Sequence, residues 1–373
     1  MASLSFPKFK EYDDLWGKGN WTVEPVSVFA AHGRVIFYQH NLSDDVLSDS
    51  DQKITWNMVH GYGLSVARTF IRQNLEKKWI EVAAALHQHV ISRMLGEEMK
   101  GYLRPGAKIV WSRYGETDVY GNLSDNEPLI VGNHSIAPGG FMAVSADGGL
   151  TAGFFSRFNG QQLFGSHYLI VKRSAKEMEV HQPDASTTLL TLNCPNEWED
   201  ESSVRVYKLE KGLESEVPAA VGDGQVTFLF DAEKNANTYR VRYVPELAGP
   251  IAVKAVASQT GGRIGTRWPV TLKISNRGTK SLTDIKVKVD AWKIAASGNV
   301  PAPTFKSPAT CPDPATIKNL KSGEEISADF ELALPASAVV DARYLWIRAQ
   351  IDFTDGTSRT WKVNFKLDMG QLL

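Results

Sequence analysis

The sequence contains no long hydrophobic run. No stretch approaches the roughly 18 consecutive apolar residues that a membrane-spanning helix requires. Residues 1–21 also lack the continuous apolar segment of a secretory signal peptide. We therefore expect a soluble protein that has no membrane partner and carries no visible export signal.

An excess of charge of one sign is also missing. Lysine and arginine together number 41, against 42 aspartates and glutamates. The chain therefore has no overall electric field that would attract nucleic acid or an acidic membrane. On this basis the sequence predicts that nucleic acid is not a partner.

Cysteine is scarce as well. The sequence contains two cysteines, Cys194 and Cys311, and neither has a further cysteine or a histidine nearby at the spacing of zinc ligands. Whether the two form a disulfide stays open at this point. The sequence predicts no metal site and no cofactor.

The clearest structural signal that is present lies within residues 139–171. Two apolar-rich runs, at 141–145 and 150–158, are separated by the sequence ADGG. Asp-Gly between such runs is the strongest short-range signal for a β-hairpin. A third strand is expected at 167–172, which makes the stretch a meander. Because a meander buries one face, another element must cover it.

The N-terminal part follows a different pattern. Residues 34–38 (RVIFY) form a continuous apolar run that is typical of a strand buried on both faces. Two long helices are predicted next, over 52–71 and from 75 to an end near Gly96 or Gly101, because apolar residues recur there every three or four positions. A strand followed by two helices is a partial β/α unit, and one such unit cannot bury itself.

The remainder of the chain reads as β structure. From residue 107 the hydrophobic period changes to two, and short strands follow one another to residue 367 with Gly-rich and Pro-rich turns between them. At 373 residues the length suggests two or three domains. The expected fold class is mainly β with an N-terminal α/β piece. In order, we expect a partial β/α segment, an antiparallel β-sandwich, strands that complete or extend it, and an immunoglobulin-like β-sandwich, over residues 1–104, 105–193, 194–248 and 249–373.

Several short motifs carry a resemblance to a known family. In the first half they are YQH at 38–40, TWN at 55–57, GYGL at 61–64, ADGGLTAG at 146–153 and HYLI at 167–170. In this combination the chain resembles the C-terminal part of large bacterial glycoside hydrolases, in which a catalytic (β/α)8 barrel is followed by β domains. The runs VTLKISNRG at 270–278 and LKSGE at 320–324 are similar to the immunoglobulin-like modules appended to secreted glycosidases.

The resemblance has consequences for activity. Glycosidases of this kind use two carboxylates on separate barrel strands. If residues 35–38 are a late barrel strand, this sequence does not show the strands that carry that pair, and we assign no catalytic residue. The resemblance implies the C-terminal portion of a usually secreted, glycoside hydrolase-like protein, which supports a carbohydrate-active barrel and is not catalytic alone. The alternative is a non-catalytic carbohydrate-binding, structural or adhesion β-sandwich protein.

Two groups of residues are candidates for binding a carbohydrate. Tyr38, Gln39, His40 and Asn41 follow the predicted strand, and barrel ligands bind at the carboxyl ends of strands. The alternative for these four is a helix-capping or loop network. Trp56 and Asn57 lie early in the first predicted long helix and form the second group. For Trp56, core packing competes with sugar stacking.

The histidines are predicted to be structural. His87 and His89 are two apart on a helix, so they face different directions and cannot share a metal ion. His134, His167 and His181 stand isolated among predicted strands, where a histidine that is satisfied by neighbouring groups is the expectation.

Overall fold

The computed structural model describes residues 26–37, 50–64, 77–184, 188–198, 203–217, 219–222, 224–230, 238–244, 250–257, 267–295, 315–333, 342–354 and 358–368. The chain divides into two compact units, one formed by residues 1–174 with 178–186 and the other by 175–177 with 187–373. Its fold class is mainly β with antiparallel sheets, as predicted. Among the described residues, no helix has both the length and the apolar character needed to cross a bilayer. The four-part division expected from the sequence stays a prediction.

All described helices belong to the first unit. They are α1 (Val26–Ala31), α2 (Ser50–Val59), α3 (Lys77–Leu86), a π-helical turn (His87–Ile91) and α4 (Ser92–Met94). The apolar stripe predicted for the second long helix is confirmed, because the following members of it are buried: Val82, Ala83, Leu86, Val90 and Met94.

The strand predicted at 34–38 is wrong for its described residues. Arg34 and Val35 lie in a turn after α1, and residues 36–37 are irregular. Gly33 ends the helix with a φ of 89°, and the side chains of Val35 and Ile36 are about half exposed. A strand of this composition forms when parallel neighbours pair with its backbone on both sides. The described residues of the first unit provide no such neighbours.

The first long helix is shorter than predicted. It ends at Val59, well before residue 71, because Gly61 adopts a φ of 64°. The N–H of Gly61 donates to the carbonyl of Met58 (3.2 Å), and the N–H of Tyr62 donates to that of Asn57 (2.9 Å). A β-carbon on Gly61 would lie 2.3 Å from Nε2 of His32 and 2.8 Å from the ring of Tyr114. Glycine is therefore required here by both conformation and space. Residues 65–71 lie outside the described ranges.

The first unit contains one antiparallel sheet. Its strands are β1 (Met99–Gly106), β2 (Ile109–Tyr114), β3 (Thr117–Asn122), β4 (Leu129–Val131), β5 (His134–Ile136), β6 (Phe141–Ser145), β7 (Leu150–Phe158), β8 (Gln161–Arg173) and β9 (Glu177–His181). The order is β1-β2-β3-β6-β7-β8-β9, and the β4-β5 hairpin attaches to β7.

The hairpin predicted between 141 and 158 is confirmed. Strands β6 and β7 pair antiparallel, with Met142 opposite Gly153. In the turn, the carboxylate of Asp147 accepts hydrogen bonds from Oγ of Ser145 (2.5 Å) and from the N–H of Gly149 (2.8 Å). Gly148 adopts a φ of 70°, which explains the Asp-Gly signal in the sequence.

The helices cover one face of this sheet, as the meander requires. A single buried cluster joins apolar residues of α2, α3 and the π-turn to residues of β2, β3, β6, β7 and β8. Two buried hydrogen bonds fix α2 on the sheet: Oη of Tyr114 donates to the carbonyl of Val59 (3.0 Å), and Oγ1 of Thr55 donates to that of Gly139 (2.7 Å). Each aliphatic side chain buried here contributes about 1.5–3 kcal/mol.

The second unit is entirely β among its described residues. Its strands are β10 (Thr188–Asn193), β11 (Val204–Glu210), β12 (Leu213–Val217), β13 (Ala219–Gly222), β14 (Gln225–Phe230), β15 (Thr238–Tyr243), β16 (Ile251–Ala257), β17 (Arg267–Asn276), β18 (Leu282–Ala295), β19 (Ala315–Leu320), β20 (Glu325–Ala333), β21 (Ala342–Thr354) and β22 (Ser358–Asp368).

These strands form the antiparallel groups β15-β11-β12, β10-β14-β13, β16-β17-β20 and β19-β18-β21-β22. In β18 the side chains of Ile285, Val287 and Val289 are buried, while those of Lys286 and Lys288 are exposed. This period of two is that of a strand in a sandwich. Cys194 is half buried, and Cys311 lies outside the described residues, so their pairing stays open.

We predict that Gly61→Ala destabilises the first unit more than Gly148→Ala does. Both glycines have a positive φ, so alanine costs about 1–2 kcal/mol at either position. At Gly148 an added β-carbon meets nothing within 4 Å, whereas at Gly61 it collides with His32 and Tyr114. Urea-induced unfolding, followed by tryptophan fluorescence, is expected to show the larger loss for Gly61→Ala. Equal losses in the two variants would contradict this account.

Candidate functional site

Of the predicted ligand-binding residues, the structure describes Trp56 and Asn57. Residues 38–41, which include Tyr38, Gln39, His40 and Asn41, lie outside the described ranges. Trp56 and Asn57 both lie on α2 but differ in exposure, since Trp56 is half buried and Asn57 is buried. Nδ2 of Asn57 donates to the carbonyl of Lys53 (2.7 Å), so this amide bonds to its own helix. The candidate site is therefore built around Trp56 without Asn57.

Trp56 packs on a histidine one turn further along α2. The ring centroids of Trp56 and His60 are 4.2 Å apart. Residues four apart lie on the same face of a helix. His60 is fixed in place because its Nδ1 donates to the carbonyl of Trp56, at 2.8 Å.

The first strand of the sheet completes this group. The guanidinium carbon of Arg104 lies 5.8 Å from the centroid of the Trp56 ring, within the range of a cation–π interaction. The Tyr102 ring lies 5.9 Å from that of His60. Tyr102 and Arg104 are two apart on β1, so they share one face of the strand. Nη2 of Arg104 also donates to the carbonyl of Ala107 (2.9 Å), which orients the guanidinium. We call Trp56, His60, Tyr102 and Arg104 the Trp56 group.

Sequence reasoning identified Trp56 but missed its three partners. His60 could have been found from its spacing of four from Trp56, and Tyr102 with Arg104 from their period of two. Only the tertiary packing of the helix against the sheet brings these side chains together with Trp56. The three residues lie on a helix end and a strand that no local pattern brings together.

Aromatic contacts continue from the Trp56 group into the core. Tyr62 lies 5.8 Å from His60 and 5.7 Å from Phe37, by ring centroids. Burial raises the pKa of Tyr62 to about 12 and lowers that of His60 to about 4. For His60, the hydrogen bond to the Trp56 carbonyl opposes this shift, and the nearby Arg104 adds to it. Both side chains are therefore neutral at pH 7.

The Trp56 group combines a half-buried indole ring with an adjacent guanidinium group. A half-buried tryptophan offers an apolar face on which the C–H groups of a sugar ring can stack. An adjacent guanidinium supplies donors for hydroxyl oxygens. Sites of this kind combine aromatic surface with a few placed polar groups.

The histidines predicted to be structural differ in their surroundings. His134 is half-buried and packs on Phe158, with ring centroids 4.7 Å apart, and burial lowers its pKa to about 4. His167 is buried, with Nδ1 3.4 Å from a carboxylate oxygen of Asp184. His87 bonds to the carbonyl of Leu64 through Nε2 (2.6 Å). His181 does not stand apart from other histidines as the sequence suggested, because its ring stacks on that of His89 with centroids 4.1 Å apart.

Comparison with known proteins gives no family assignment. No family model matches the sequence, and no curated protein does. Among solved structures, the sporulation control protein Spo0M of Bacillus subtilis is similar at 11% identity and a TM-score of 0.22, over 32% of this chain and 50% of that one. AvmM, which catalyses macrocyclization in alchivemycin A biosynthesis, is similar at 12% identity and a TM-score of 0.21, over 32% of this chain and 90% of that one. The chain thus spans half the length of Spo0M, and these values are too low to support an argument.

We predict that buried His60 makes folding less stable in acid. Its pKa is about 4 in the folded protein and about 6.5 when unfolded. The unfolded state therefore binds more protons between these values, and stability present above pH 6.5 is lost as the pH falls towards 4. Lowering the pH from 7 to 5 is expected to remove about 2 kcal/mol through His60.

The measurement is urea-induced unfolding at pH 7 and pH 5, for the wild-type protein and His60→Phe. The phenylalanine variant retains an aromatic ring but cannot take up a proton, so its stability should fall less. Other buried histidines contribute equally to both proteins and cancel in the comparison. An identical fall in the two proteins would show that His60 is not the titrating group.

Proposed function

We propose that this chain is the C-terminal portion of a glycoside hydrolase-like protein, and that its β units support a carbohydrate-active (β/α)8 barrel. The observation that carries this proposal is the exposure of the segment whose sequence is typical of a buried barrel strand. Within residues 26–37, the large apolar side chains with more than half of their surface exposed are Val26 (70%), Phe29 (51%), Val35 (52%) and Ile36 (53%). In this proposal, neighbouring barrel elements cover the exposed side chains of Val35 and Ile36.

The packing of the segment supports this role. Phe37 is partly buried against the core, and its carbonyl accepts a hydrogen bond from the N–H of Gly63 (2.8 Å). The segment is thus attached to the first unit through Phe37 and through Val28, which is 1% exposed, while the side chains of Val35 and Ile36 stay about half exposed. A group of neighbouring exposed apolar side chains commonly marks a surface that another domain or protein covers. The resemblance to barrel-bearing glycosidases makes barrel elements the proposed occupant.

A second function is favoured by the Trp56 group. In this alternative the chain is a non-catalytic carbohydrate-binding protein, and a sugar stacks on Trp56 beside Arg104. The geometry that favours it is the cation–π pair and the orientation of the guanidinium described above. Both functions assign a carbohydrate to the chain, but they place different surfaces in contact with a partner.

For the first function, we predict that β/α units encoded in frame upstream stabilise the chain when they are expressed with it as one polypeptide. Val35→Asp with Ile36→Asp should remove that gain, because the carboxylates would have to be buried in the interface. Leu213→Asp is the matched control, since this leucine is 77% exposed and lies in the second unit. Thermal unfolding of the extended and original chains measures the gain. The absence of such units, or a gain that survives the double substitution, would refute the proposal.

For the second function, we predict that Trp56→Ala weakens glycan binding about 10-fold or more, which corresponds to about 1.4 kcal/mol of lost stacking. The matched control is Trp111→Ala. Trp111 is also half buried beside an arginine, with Arg113 at 5.6 Å from the ring. There, however, the guanidinium is held by two hydrogen bonds of 2.7 Å to Asp118.

The measurement starts with a glycan array on the whole chain. Calorimetric titration of the strongest-binding oligosaccharide then compares the two variants with the wild type. Equal loss in both variants, or no loss in Trp56→Ala, would remove Trp56 from the binding surface.

A further inference from the structure

Three side chains of the first unit that do not belong to the Trp56 group converge at a second place. His89 comes from the π-turn, and Glu179 and His181 come from β9. One potential ligand atom from each lies within 4.8 Å of the other two. Glu179 and His181 are two apart on the strand and therefore share one face, and Nε2 of His181 is 2.7 Å from Oε1 of Glu179. We call these three residues the histidine–glutamate cluster.

The π-turn is what places His89 in this cluster. The N–H of Ser92 bonds to the carbonyl of His87, five residues earlier, and this inserts one extra residue into the helical turn. As a result His89, Val90 and Ile91 are all buried, although three successive residues of a regular helix point 100° apart. Local π-turns of this kind occur frequently at functional sites.

We propose that the histidine–glutamate cluster is a binding site for a divalent transition-metal ion, with Zn²⁺ as the best-fitting species. Two imidazole nitrogens and one carboxylate oxygen form a ligand set that suits Zn²⁺ and its first-row neighbours. Calcium and magnesium prefer oxygen ligands throughout. Three protein ligands leave a fourth position on zinc open to water or another ligand.

The distances between the three ligand atoms allow an ion to bind after small movements of the side chains. Ligands of a tetrahedral Zn²⁺ at about 2.1 Å from the ion lie about 3.4 Å apart. Atoms that are up to 4.8 Å apart therefore need to approach by less than about 1.5 Å, whereas Nε2 of His181 and Oε1 of Glu179, 2.7 Å apart, need to separate by about 0.7 Å. The imidazole planes of His89 and His181 are 24° from parallel, so one ring must turn about its χ2 angle to direct a nitrogen at the common point.

The protonation states favour ligation. Burial, followed by the neighbouring His181 and Lys172, lowers the pKa of His89 to about 4. Burial alone would raise the pKa of Glu179, but hydrogen bonds from Lys172 and His181 outweigh it and lower the pKa to about 2. A neutral imidazole and an ionised carboxylate are the forms that bind metal ions. Because Nε2 of His181 donates a hydrogen bond to Glu179, this nitrogen must release its proton to solvent if it is to bind the ion.

Lys172 competes with the ion. It lies directly opposite Glu179 on β8, and its ammonium contacts Oε1 of that carboxylate. This positive charge compensates the partly buried carboxylate. A bound cation would take over the same role, so metal binding displaces the ammonium from Glu179. Arg93, one turn after His89, is the other cation that acts on this histidine.

The test is titration of the whole metal-free protein with Zn²⁺ by calorimetry, and with Co²⁺ by visible absorption. We expect one ion per chain, a higher thermal unfolding temperature with Zn²⁺, and a Co²⁺ spectrum typical of tetrahedral nitrogen and oxygen ligands. Glu179→Gln and His181→Gln should each weaken binding by more than the 10- to 100-fold that loss of an outer-shell partner causes. Lys172→Gln should bind the ion more tightly, since the competing charge is gone.

The control is His134→Gln, which alters a half-buried histidine of the same sheet outside the cluster and should leave the affinity unchanged. Circular dichroism without metal establishes that each variant is folded. No stoichiometric binding by the wild type would overturn the proposal. Binding by Glu179→Gln and His181→Gln that is as tight as that of the wild type would also overturn it. So would a Zn²⁺ affinity of Lys172→Gln that is unchanged or lower. A merely structural cluster would not bind more tightly when its lysine is removed.

Discussion

The first unit depends on covering one apolar face of an antiparallel sheet. Strands β2, β3, β6, β7 and β8 present that face, and the helices α2 and α3 with the π-turn bury it. The contact is close enough that a β-carbon on Gly121 would lie 2.7 Å from Val59. This constraint decides where the helices stop and which of their residues point outward. Both candidate sites lie where a helix meets the sheet, so their geometry follows from the same packing.

Local signals in the sequence predicted the elements whose cause is local. The hairpin of β6 and β7 follows from Asp147 and Gly148, and the apolar stripe of α3 follows from its period. The strand at 34–38 failed because pairing with neighbours, and not its own composition, makes such a run a strand. The predicted helix end at residue 71 failed because periodicity continued past Gly61. A glycine inside a periodic run is a weak stop signal until the side chains around it are known.

The candidate sites were harder to predict because their members are far apart in the sequence. Trp56 carried a local signal through its motif, but Arg104 reached it only through the packing of α2 on β1. His181 was predicted to be an isolated structural histidine, and helical periodicity gives no sign of the π-turn that carries His89. Residue spacing predicted that His87 and His89 face different directions, and their side chains have different partners. It could not indicate that His89 faces β9.

The π-turn and the residues that follow α1 differ in how far they bury their apolar side chains. A helix must bury its apolar side chains, and the π-turn accomplishes this by an irregularity that also brings an imidazole to the sheet. The segment after α1 leaves Val35 and Ile36 about half exposed, which forgoes on the order of 1 kcal/mol of burial free energy for each side chain. The first unit forms an irregular helical turn in which residues 89–91 are buried. In the same unit, Val35 and Ile36 stay about half exposed. That contrast is consistent with the proposed partner surface at Val35 and Ile36.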